Sequence, residues 1–520
     1  MLVAFVALGL AATCAQSGSG DGTGTGGSPG SGGSSATGGT RGQGGTTGSG
    51  GVPARGGSPG AGGTLATGGN PGAGGTATGT GGTGAGGRTG SGGTEVAGRS
   101  GAGGTPPGSG GGGDSPGATP CTITAQSTQS TAIPTVFTVT WSSTLSAMTA
   151  AEIDFGPAAS GPAMVAPVDL TQPSYKTVLV GMKPTTSYVY RIVARSAAGT
   201  CTSQDFTIMT GTLANAPKPT ITIASAAQHD KGFIVTSTGI NGTSAYVIDP
   251  DGDVVWVAPS GVPSQPSRVH LSWDATKIYE MALNVMNTSA GKIVIQPLDG
   301  SAATSLSGVA ASHHDLTAIP GGMATPMWNS SGMDAPCSIV ELTESGAKTT
   351  VIADVGTVYT SNTFHTNSIH YYARDNSYTI GDRNPNLYVK VSRTGQLIWQ
   401  FGGSSPKDAT KNFSGVTAWQ VNHGHHLTAD GTFVFFNNNA NEMWNYKLDT
   451  STMKATQVMH YTASGAASNV LGDAQVLPNG NILVTFSTGG QMHEITPAGT
   501  LVAKYTAPTG QQFGYAEFRE

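Results

Sequence analysis

A strand–turn–strand unit recurs along residues 214–520 and restricts the fold more than any other feature of the sequence. In each unit a strand ends at a tight turn rich in Gly, Asn, Asp or Pro, and a second strand pair follows, closed by another such turn. Six units start near residues 232, 268, 313, 365, 423 and 472, a spacing typical of four-stranded propeller blades. The repeat predicts an all-β fold that ends in a six-bladed β-propeller. A seven-bladed propeller with one degenerate blade and a pair of stacked sheets are the alternatives.

Histidines gather at the starts of consecutive units. Because the first strand of each propeller blade lines the central channel, we expect these side chains to meet near the axis, in a polar funnel suited to an anion or a metal. A single buried histidine is more often structural than catalytic, but a position shared by several units favours a common site. The members of this register are His270, His313, His314, His365, His423 and, in the sixth unit, Asp473. The run VNHGHHL also contains His425 and His426, which we interpret as supporting residues, and His370 follows His365.

Arg383 lies in the sequence GDRN, on the strand after that of His365. Its planar guanidinium is a fixed fork of donors that suits sulfate, phosphate or carboxylate. The structural alternative is a salt bridge to Asp382 or a contact between blades.

The first part of the chain carries no core. Residues 17–118 are dominated by Gly, Ser and Thr, a composition that predicts a disordered linker. Residues 1–16 resemble a secretion signal of the lipoprotein type, because a short apolar run precedes Cys14. We therefore expect an exported protein of the cell envelope or the extracellular space. Membrane attachment through a lipidated Cys14 and loss of the linker by processing both remain open.

Charge excludes one class of partner. The net charge is −5, and only 10% of the residues are charged. No basic stripe is present, so nucleic-acid binding has no electrostatic support.

Residues 119–213 predict a separate β-sandwich. The segments TVFTVTW (Thr135–Trp141) and YVYRIVA (Tyr188–Ala194) alternate as strands do, and the second resembles a late strand of a fibronectin type III or immunoglobulin-like domain. Cys121 and Cys201 bracket this domain and predict a disulfide in an exported protein. Cys337 is left unpaired, and no Cys/His spacing predicts a structural zinc site.

Residues 214–520 resemble the arylsulfotransferase family of bacterial secreted and periplasmic enzymes. The motifs that carry the resemblance are HHDLTAIPGG, FHTNSIHYYARDNSYTIGDRN, LYVKVSRTGQLIWQFGG, NHGHHLTADGTFVFFNNN and GDAQVLPNGNILV. The resemblance implies a six-bladed propeller that moves a sulfuryl group from a phenolic sulfate ester to a phenol, without a nucleotide donor and without a cofactor.

The resemblance also implies roles for single residues. His423 matches the histidine that becomes transiently sulfated in a ping-pong reaction, and the other site residues fall on His314, His365 and Arg383. We expect Arg383 and His314 to hold the sulfuryl oxygens, and His365 to protonate the leaving phenolate. Further substrate contacts are predicted at His313 and at Asn367, which we also expect to orient His365. Trp328, Phe364 and Trp419 are candidates to stack on phenol rings.

The chain departs from the family pattern at three places. Gly424 follows His423 where the family usually has Asp, Asp382 precedes Arg383 where a small residue is usual, and an irregular Met- and Gly-rich insertion follows His314. A non-catalytic surface propeller for binding or adhesion is the competing hypothesis. A metal site formed by histidines with Asp315 or Asp473 is the third.

Overall fold

A computed structural model of the chain describes residues 121–242, 245–259, 265–282, 291–330, 332 and 334–520. These residues belong to one unit, Gly79–Glu520, and contain β-strands and short 3-10 helices but no α-helix. The 3-10 helices are Pro173–Tyr175, Gly239–Asn241, Val355–Thr357 and Ala409–Lys411. No helix within the described ranges is long and apolar enough to cross a membrane. The predicted signal with Cys14 and the predicted linker lie outside the described residues.

Two sheets form the first part of the described chain. One joins β1 (Ile123–Gln129), β2 (Phe137–Ser143) and β5 (Thr177–Leu179) in that order. The other joins β4 (Met164–Pro167), β3 (Met148–Pro157), β6 (Ser187–Ser196) and β7 (Gly199–Thr202) in that order, and β8 (Phe206–Met209) also pairs with β6.

The two sheets share one hydrophobic core, because alternate residues of their strands point inward. Val139 and Trp141 from the first sheet pack with Ile153 and Tyr190 from the second. The predicted disulfide between Cys121 and Cys201 is present and joins the start of the sandwich to β7.

Six further antiparallel sheets follow, which we number I to VI. Sheet I contains β33 (Glu517–Arg519), β10 (Phe233–Ser237), β11 (Ala245–Ile248) and β12 (Val254–Val257). Sheet II contains β13 (Pro266–Leu271), β14 (Lys277–Ala282), β15 (Ile293–Pro297) and β16 (Thr304–Ser305). Sheet III contains β17 (Thr317–Ile319), β18 (Gly322–Trp328), β19 (Cys337–Thr343) and β20 (Lys348–Ile352). Sheet IV contains β21 (Thr366–Tyr372), β22 (Ser377–Asp382), β23 (Leu387–Ser392) and β24 (Leu397–Gly402). Sheet V contains β25 (Asn422–Leu427), β26 (Thr432–Asn437), β27 (Glu442–Asp449) and β28 (Lys454–Thr462). Sheet VI contains β29 (Asp473–Val476), β30 (Ile482–Phe486), β31 (Gln491–Ile495), β32 (Leu501–Thr506) and β9 (Thr220–Ile223).

The first-named strand of each sheet, its leading strand, agrees with the predicted unit starts in five sheets. Sheet I differs, because its leading strand β33 comes from the end of the chain and pairs with β10. In sheet VI, β9 from the start of the repeat pairs with β32. The two ends of the repeat region therefore close on each other, a pairing between distant residues that local sequence patterns do not indicate.

Hydrogen bonds connect the leading strands, or the residues just before them, into a closed ring. In order around the ring they are Ser267 Oγ to His314 O (2.9 Å), Ile369 N to Asp315 Oδ2 (2.9 Å), Asn367 Nδ2 to Asn422 O (2.7 Å), Val476 N to His426 Nδ1 (3.2 Å), Phe518 N to Gln475 Oε1 (2.8 Å) and Leu271 N to Glu517 Oε2 (2.7 Å). A leading strand is an edge strand, whose free backbone groups need partners. Side chains of neighbouring sheets supply many of these partners, and the result is an all-β, propeller-like arrangement.

The sandwich rests on sheets I and II. Thr135 Oγ1 donates to the carbonyl of Val255 (2.6 Å), and Ser130 Oγ donates to that of Asp299 (2.8 Å). Lys183 forms ion pairs with three aspartates of the turn between β11 and β12, namely Asp249, Asp251 and Asp253.

Candidate functional site

Three of the four predicted catalytic residues lie side by side where the leading strands of sheets III, IV and V begin. The Nε2 atoms of His314 and His365 are 3.2 Å apart, and their ring centroids are 4.7 Å apart. The ring centroid of His423 is 6.3 Å from that of His314. None of the three residues is more than 3% exposed. The ring of sheets thus brings together histidines that are far apart in the sequence.

The backbone next to these histidines is strained. His314 has a φ of 61°, and Val421, two residues before His423, has a φ of 59°. Left-handed φ is uncommon outside Gly, and for a β-branched residue it is a true outlier. Two hydrogen bonds hold Val421 in place: its N–H donates to Asn386 Oδ1 (2.8 Å), and its carbonyl accepts from the Asn438 N–H (3.1 Å). These contacts set the path by which the chain enters β25 and so the position of His423.

Arg383 completes the group from the turn after β22. Its backbone N–H donates to the carbonyl of His365 (3.2 Å), and its side chain is half-buried. Burial is the main cause of the lowered pKa of His314 and His423, and the charge of Arg383 lowers both further. Within the described residues its guanidinium has neither a hydrogen bond nor an ion pair. A cation therefore lies near two of the histidines, and no described residue accepts a hydrogen bond from its guanidinium.

Asp382 holds the backbone at His365 and forms no ion pair with Arg383 in the described part of the chain. Its carboxylate accepts from the His365 N–H (2.7 Å) and from the Tyr359 hydroxyl (2.6 Å). Burial raises the pKa of Asp382 to about 6, although these hydrogen bonds favour its ionised form. Asp382, which departs from the family pattern, thus has a structural role beside the site.

His314 and His423 are neutral at neutral pH. Burial lowers the pKa of His423 to about 3 and holds that of His314 well below its usual value. A neutral imidazole carries one N–H and one lone pair. Nδ1 of His423 is buried and makes no hydrogen bond of ordinary geometry with a described residue. A neutral imidazole of this kind is a competent nucleophile.

His313 joins His314 to a buried cysteine. Its Nδ1 is 2.8 Å from Nδ1 of His314, and its Nε2 is 3.1 Å from Sγ of Cys337. Its ring stacks on Trp328, with centroids 3.7 Å apart and planes 9° apart. Both ring nitrogens of His313 are thus occupied by protein groups, and substrate contact through this residue stays a prediction. The sequence did not link Cys337 to the site, because the contact arises only when Trp328 on β18 pairs with Cys337 on β19.

Asn367 lies beside the backbone of His423. Its Nδ2 donates to the carbonyl of Asn422 (2.7 Å), the residue before His423. Its Oδ1 is buried and has no partner among the described residues. This hydrogen bond therefore supports the segment that carries His423, whereas the expected orienting contact with His365 stays a prediction.

Gly424 faces a carboxylate from the next sheet. A Cβ added at Gly424 would lie 2.1 Å from Oδ1 of Asp473. Asp473 pairs with the buried Arg268 (3.1 Å), which also pairs with Asp315 (2.5 Å). Burial raises the pKa of Asp473 to about 7, against the opposing effect of Arg268. Gly424 also departs from the family pattern, and here the carboxylate of Asp473, on β29, reaches the place that a side chain at position 424 would occupy.

Further histidines lie along the same leading strands. The ring centroid of His370 is 4.9 Å from that of His425 and 6.5 Å from that of His426. His425 is bonded through both ring nitrogens, to Ser368 Oγ (3.0 Å) and Thr379 Oγ1 (2.7 Å), which is a structural arrangement. Within the described ranges, no group of three or more His, Cys, Asp or Glu residues has an arrangement that would hold a metal ion.

An open cleft of about 970 Å³ adjoins the segments that carry the site. Thr363, Asn384 and Gln420, which line it, lie within three residues of His365, Arg383 and His423. All its lining side chains are uncharged, and Trp419 and Trp444 are among them.

Three solved structures show distant similarity to the chain in sequence and fold. A Bacteroides thetaiotaomicron structural genomics protein of unknown function is 12% identical, with 75% of this chain and 98% of that chain covered and a TM-score of 0.35. TolB from Acinetobacter baumannii is 11% identical over 65% and 80% of the two chains, with a TM-score of 0.39. The Cps50 (Swd1) β-propeller domain of Myceliophteria thermophila is 10% identical over 57% and 92%, with a TM-score of 0.37.

Sequence comparison with families is more informative. No curated protein matches the chain. Residues 339–508 match the family described as arylsulfotransferase (ASST), and this segment contains His365, Arg383 and His423. The predicted arylsulfotransferase family is therefore confirmed for residues 339–508.

Proposed function

We propose that the chain transfers a sulfuryl group from a phenolic sulfate ester to a phenol through a sulfated His423. The family match supports aryl sulfotransfer in general. The observation that carries the finer proposal is the convergence of His314, His365 and His423 beside Arg383, whose guanidinium has no partner among the described residues.

In the first half-reaction a ring nitrogen of His423 attacks the sulfur of the aryl sulfate. The nitrogen–sulfur bond forms as the bond from sulfur to the phenolic oxygen breaks, and the electron pair leaves with the phenolate. His365, in its imidazolium form, donates a proton to that phenolate and is left neutral. In the second half-reaction His365 accepts the proton of the acceptor phenol, whose oxygen takes the sulfuryl group from His423. The donor product leaves before the acceptor reacts, so the kinetics are ping-pong.

Arg383 and His314 hold the sulfuryl oxygens during both steps. Sulfuryl transfer resembles phosphoryl transfer, in which catalysis is mostly positioning and stabilisation of charge on the peripheral oxygens. A guanidinium that has no acceptor among the described residues, beside buried histidines, suits that task.

The uncharged cleft beside the site is the proposed place for the aryl groups. Its aromatic wall includes Trp419, and its polar wall is made of amide and hydroxyl side chains. Such a surface accepts a phenol ring together with its neutral substituents. Phe364, next to His365, and Trp328 remain candidates for further ring contacts.

We also propose that sheets I to VI are the blades of a six-bladed propeller and that the sandwich is fibronectin III-like. The strand orders support both assignments, as does the hydrogen bond from the Lys183 N–H to the Tyr188 hydroxyl (2.8 Å) at the sandwich corner. Export to the cell envelope is supported by the Cys121–Cys201 disulfide, because disulfides persist mainly in oxidising compartments. Lipid attachment at Cys14 is testable by metabolic labelling with a fatty acid, which a Cys14→Ala variant should abolish.

The test of the function is incubation with 4-nitrophenyl sulfate and a phenol acceptor. We expect release of nitrophenol, formation of the acceptor's sulfate ester, and an acid-labile SO₃ adduct on His423 by mass spectrometry when the acceptor is omitted. A His423→Ala variant should lose turnover while it keeps its thermal unfolding midpoint. Absence of both transfer and adduct in the wild type would refute the enzyme function and favour the binding hypothesis.

A further inference from the structure

A line of four polar groups leads from a buried thiol to the centre of the site. Sγ of Cys337 is 3.1 Å from Nε2 of His313, Nδ1 of His313 is 2.8 Å from Nδ1 of His314, and Nε2 of His314 is 3.2 Å from Nε2 of His365. Cys337 and His313 are fully buried, and the stacking of His313 on Trp328 holds its ring in one orientation.

The proton positions along this line depend on one another. Burial keeps His313 and His314 neutral and raises the pKa of the Cys337 thiol, so each histidine has one donor nitrogen and one acceptor nitrogen. When His365 is neutral too, each of the three contacts needs one donor and one acceptor. Only two arrangements satisfy all of them: donors that point from Cys337 towards His365, or donors that point from His365 towards Cys337.

The chemistry of the thiol selects the first arrangement. An imidazole lone pair is a better acceptor than a thiol sulfur, so the S–H donates to Nε2 of His313. Thr366 and the carbonyl of Ala335, at 4.0 Å, also lie near Sγ, but a hydroxyl or carbonyl oxygen is a weaker acceptor than an imidazole nitrogen. The proton of His313 is then on Nδ1, which donates to Nδ1 of His314, and the proton of His314 is on Nε2, the nitrogen that faces His365.

We propose that Cys337 is a positioning residue: through His313 it fixes His314 as the Nε2–H tautomer, which is the donor that a sulfuryl oxygen requires. The opposite arrangement would present a lone pair of His314 to an incoming anion. The proposal rests on the proposed function for the identity of the anion. Its direct test does not depend on turnover.

The direct test is the protonation state of the histidines in the wild-type protein. Long-range ¹H–¹⁵N correlation spectra of protein labelled with ¹⁵N-histidine distinguish the two neutral tautomers, and single His→Gln variants assign the signals. We expect Nδ1–H for His313 and Nε2–H for His314 at neutral pH. The tautomer Nδ1–H on His314 overturns the proposal, and this measurement on the wild type does not depend on how a Cys337 variant folds.

The second test compares Cys337→Ser with Cys337→Ala. Both variants lose the bulk of the sulfur, but only serine keeps a donor for His313. We expect Cys337→Ala to shift His314 towards a mixture of tautomers and to weaken inorganic sulfate binding, measured by calorimetry, about tenfold, as expected for one net hydrogen bond. Cys337→Ser should stay within about twofold of the wild type. Equal affinities and equal His314 tautomers in the two variants would overturn the proposal.

The two hypotheses fail in different ways. If the chain does not transfer sulfuryl groups, the assay with 4-nitrophenyl sulfate is negative while the tautomer pattern and its dependence on Cys337 persist. If the positioning role is wrong, transfer proceeds and His314 carries its proton on Nδ1, or its tautomer does not respond to Cys337→Ala.

Discussion

Replacement of Gly424 by alanine should strongly destabilise the fold, although the change adds one methyl group. The new Cβ would lie 2.1 Å from Oδ1, 2.6 Å from Cγ and 2.9 Å from Cα of Asp473. The carboxylate must therefore leave its place. It is one of the two partners of Arg268, which is 1% exposed. Separating a buried ion pair typically costs about 3–5 kcal/mol.

We expect the low end of that range, about 3 kcal/mol, because Arg268 keeps its contact with Asp315 at 2.5 Å. The thermal midpoint should fall by about 6 °C, at roughly 2 °C per kcal/mol for a folded region of this size. Guanidinium chloride unfolding, followed by tryptophan fluorescence, measures the free energy of unfolding of the wild type and of Gly424→Ala.

A double-mutant cycle supplies the control. Asp473→Ala removes the atoms that clash, so Gly424→Ala should add little to the loss caused by Asp473→Ala alone. We expect a coupling free energy of about 2 kcal/mol, within the range for residues in contact. A coupling below about 0.5 kcal/mol, or a Gly424→Ala protein as stable as the wild type, would show that Asp473 does not occupy the space in front of Gly424.

Three further predictions concern charge, pH and the sandwich. Arg383→Lys keeps the charge but loses the planar fork, and kcat/KM for 4-nitrophenyl sulfate should fall about a hundredfold with an unchanged thermal midpoint; a loss below threefold contradicts the proposed role. The pKa of His423 in the folded chain, about 3, lies below its ordinary 6.5, so the unfolded chain binds the extra proton as the pH falls below 6.5 and the wild type loses stability there. Between pH 7.5 and 5.5 the wild type should lose about 1.3 kcal/mol more of its free energy of unfolding than His423→Gln does, measured by denaturation at both pH values. The same pH dependence in the two proteins would refute a buried neutral His423. Replacement of Cys121 and Cys201 together by alanine should lower the stability of the sandwich by about 2–5 kcal/mol in calorimetry and leave the rate of sulfuryl transfer unchanged, whereas an equal loss of transfer would make the sandwich part of the site.

Two of the three departures from the family pattern have the same kind of explanation. Asp382 has a buried carboxylate that receives hydrogen bonds from the backbone of His365 and from Tyr359. Gly424 lacks a side chain, and Asp473 reaches the same place from the next leading strand. In both cases an acidic group beside the site contacts protein atoms. The insertion after His314, residues 321–337, contains the whole of β18 and ends on Cys337, the first residue of β19, which contacts His313.

Much of the fold was predictable because its determinants are local. Alternation of apolar residues and the Gly, Asn and Asp turns identified the strands, and the recurring histidines marked the starts of their units. The first sheet was the exception, since its leading strand Glu517–Arg519 comes from the opposite end of the repeat region. A pairing between Val235 and Glu517 leaves no mark in a sequence window of a few residues.

The sequence by itself determined the all-β class, the six repeating units, the disulfide pair and the resemblance to arylsulfotransferases, because these depend on residue type and spacing along the chain. Only the tertiary structure decided which side chains face one another across sheets. It joined Cys337 to His313, directed the Asn367 amide to the backbone before His423, and set Asp473 against Gly424. Such contacts depend on the angle and register at which distant strands meet around the ring, and no local pattern encodes that geometry.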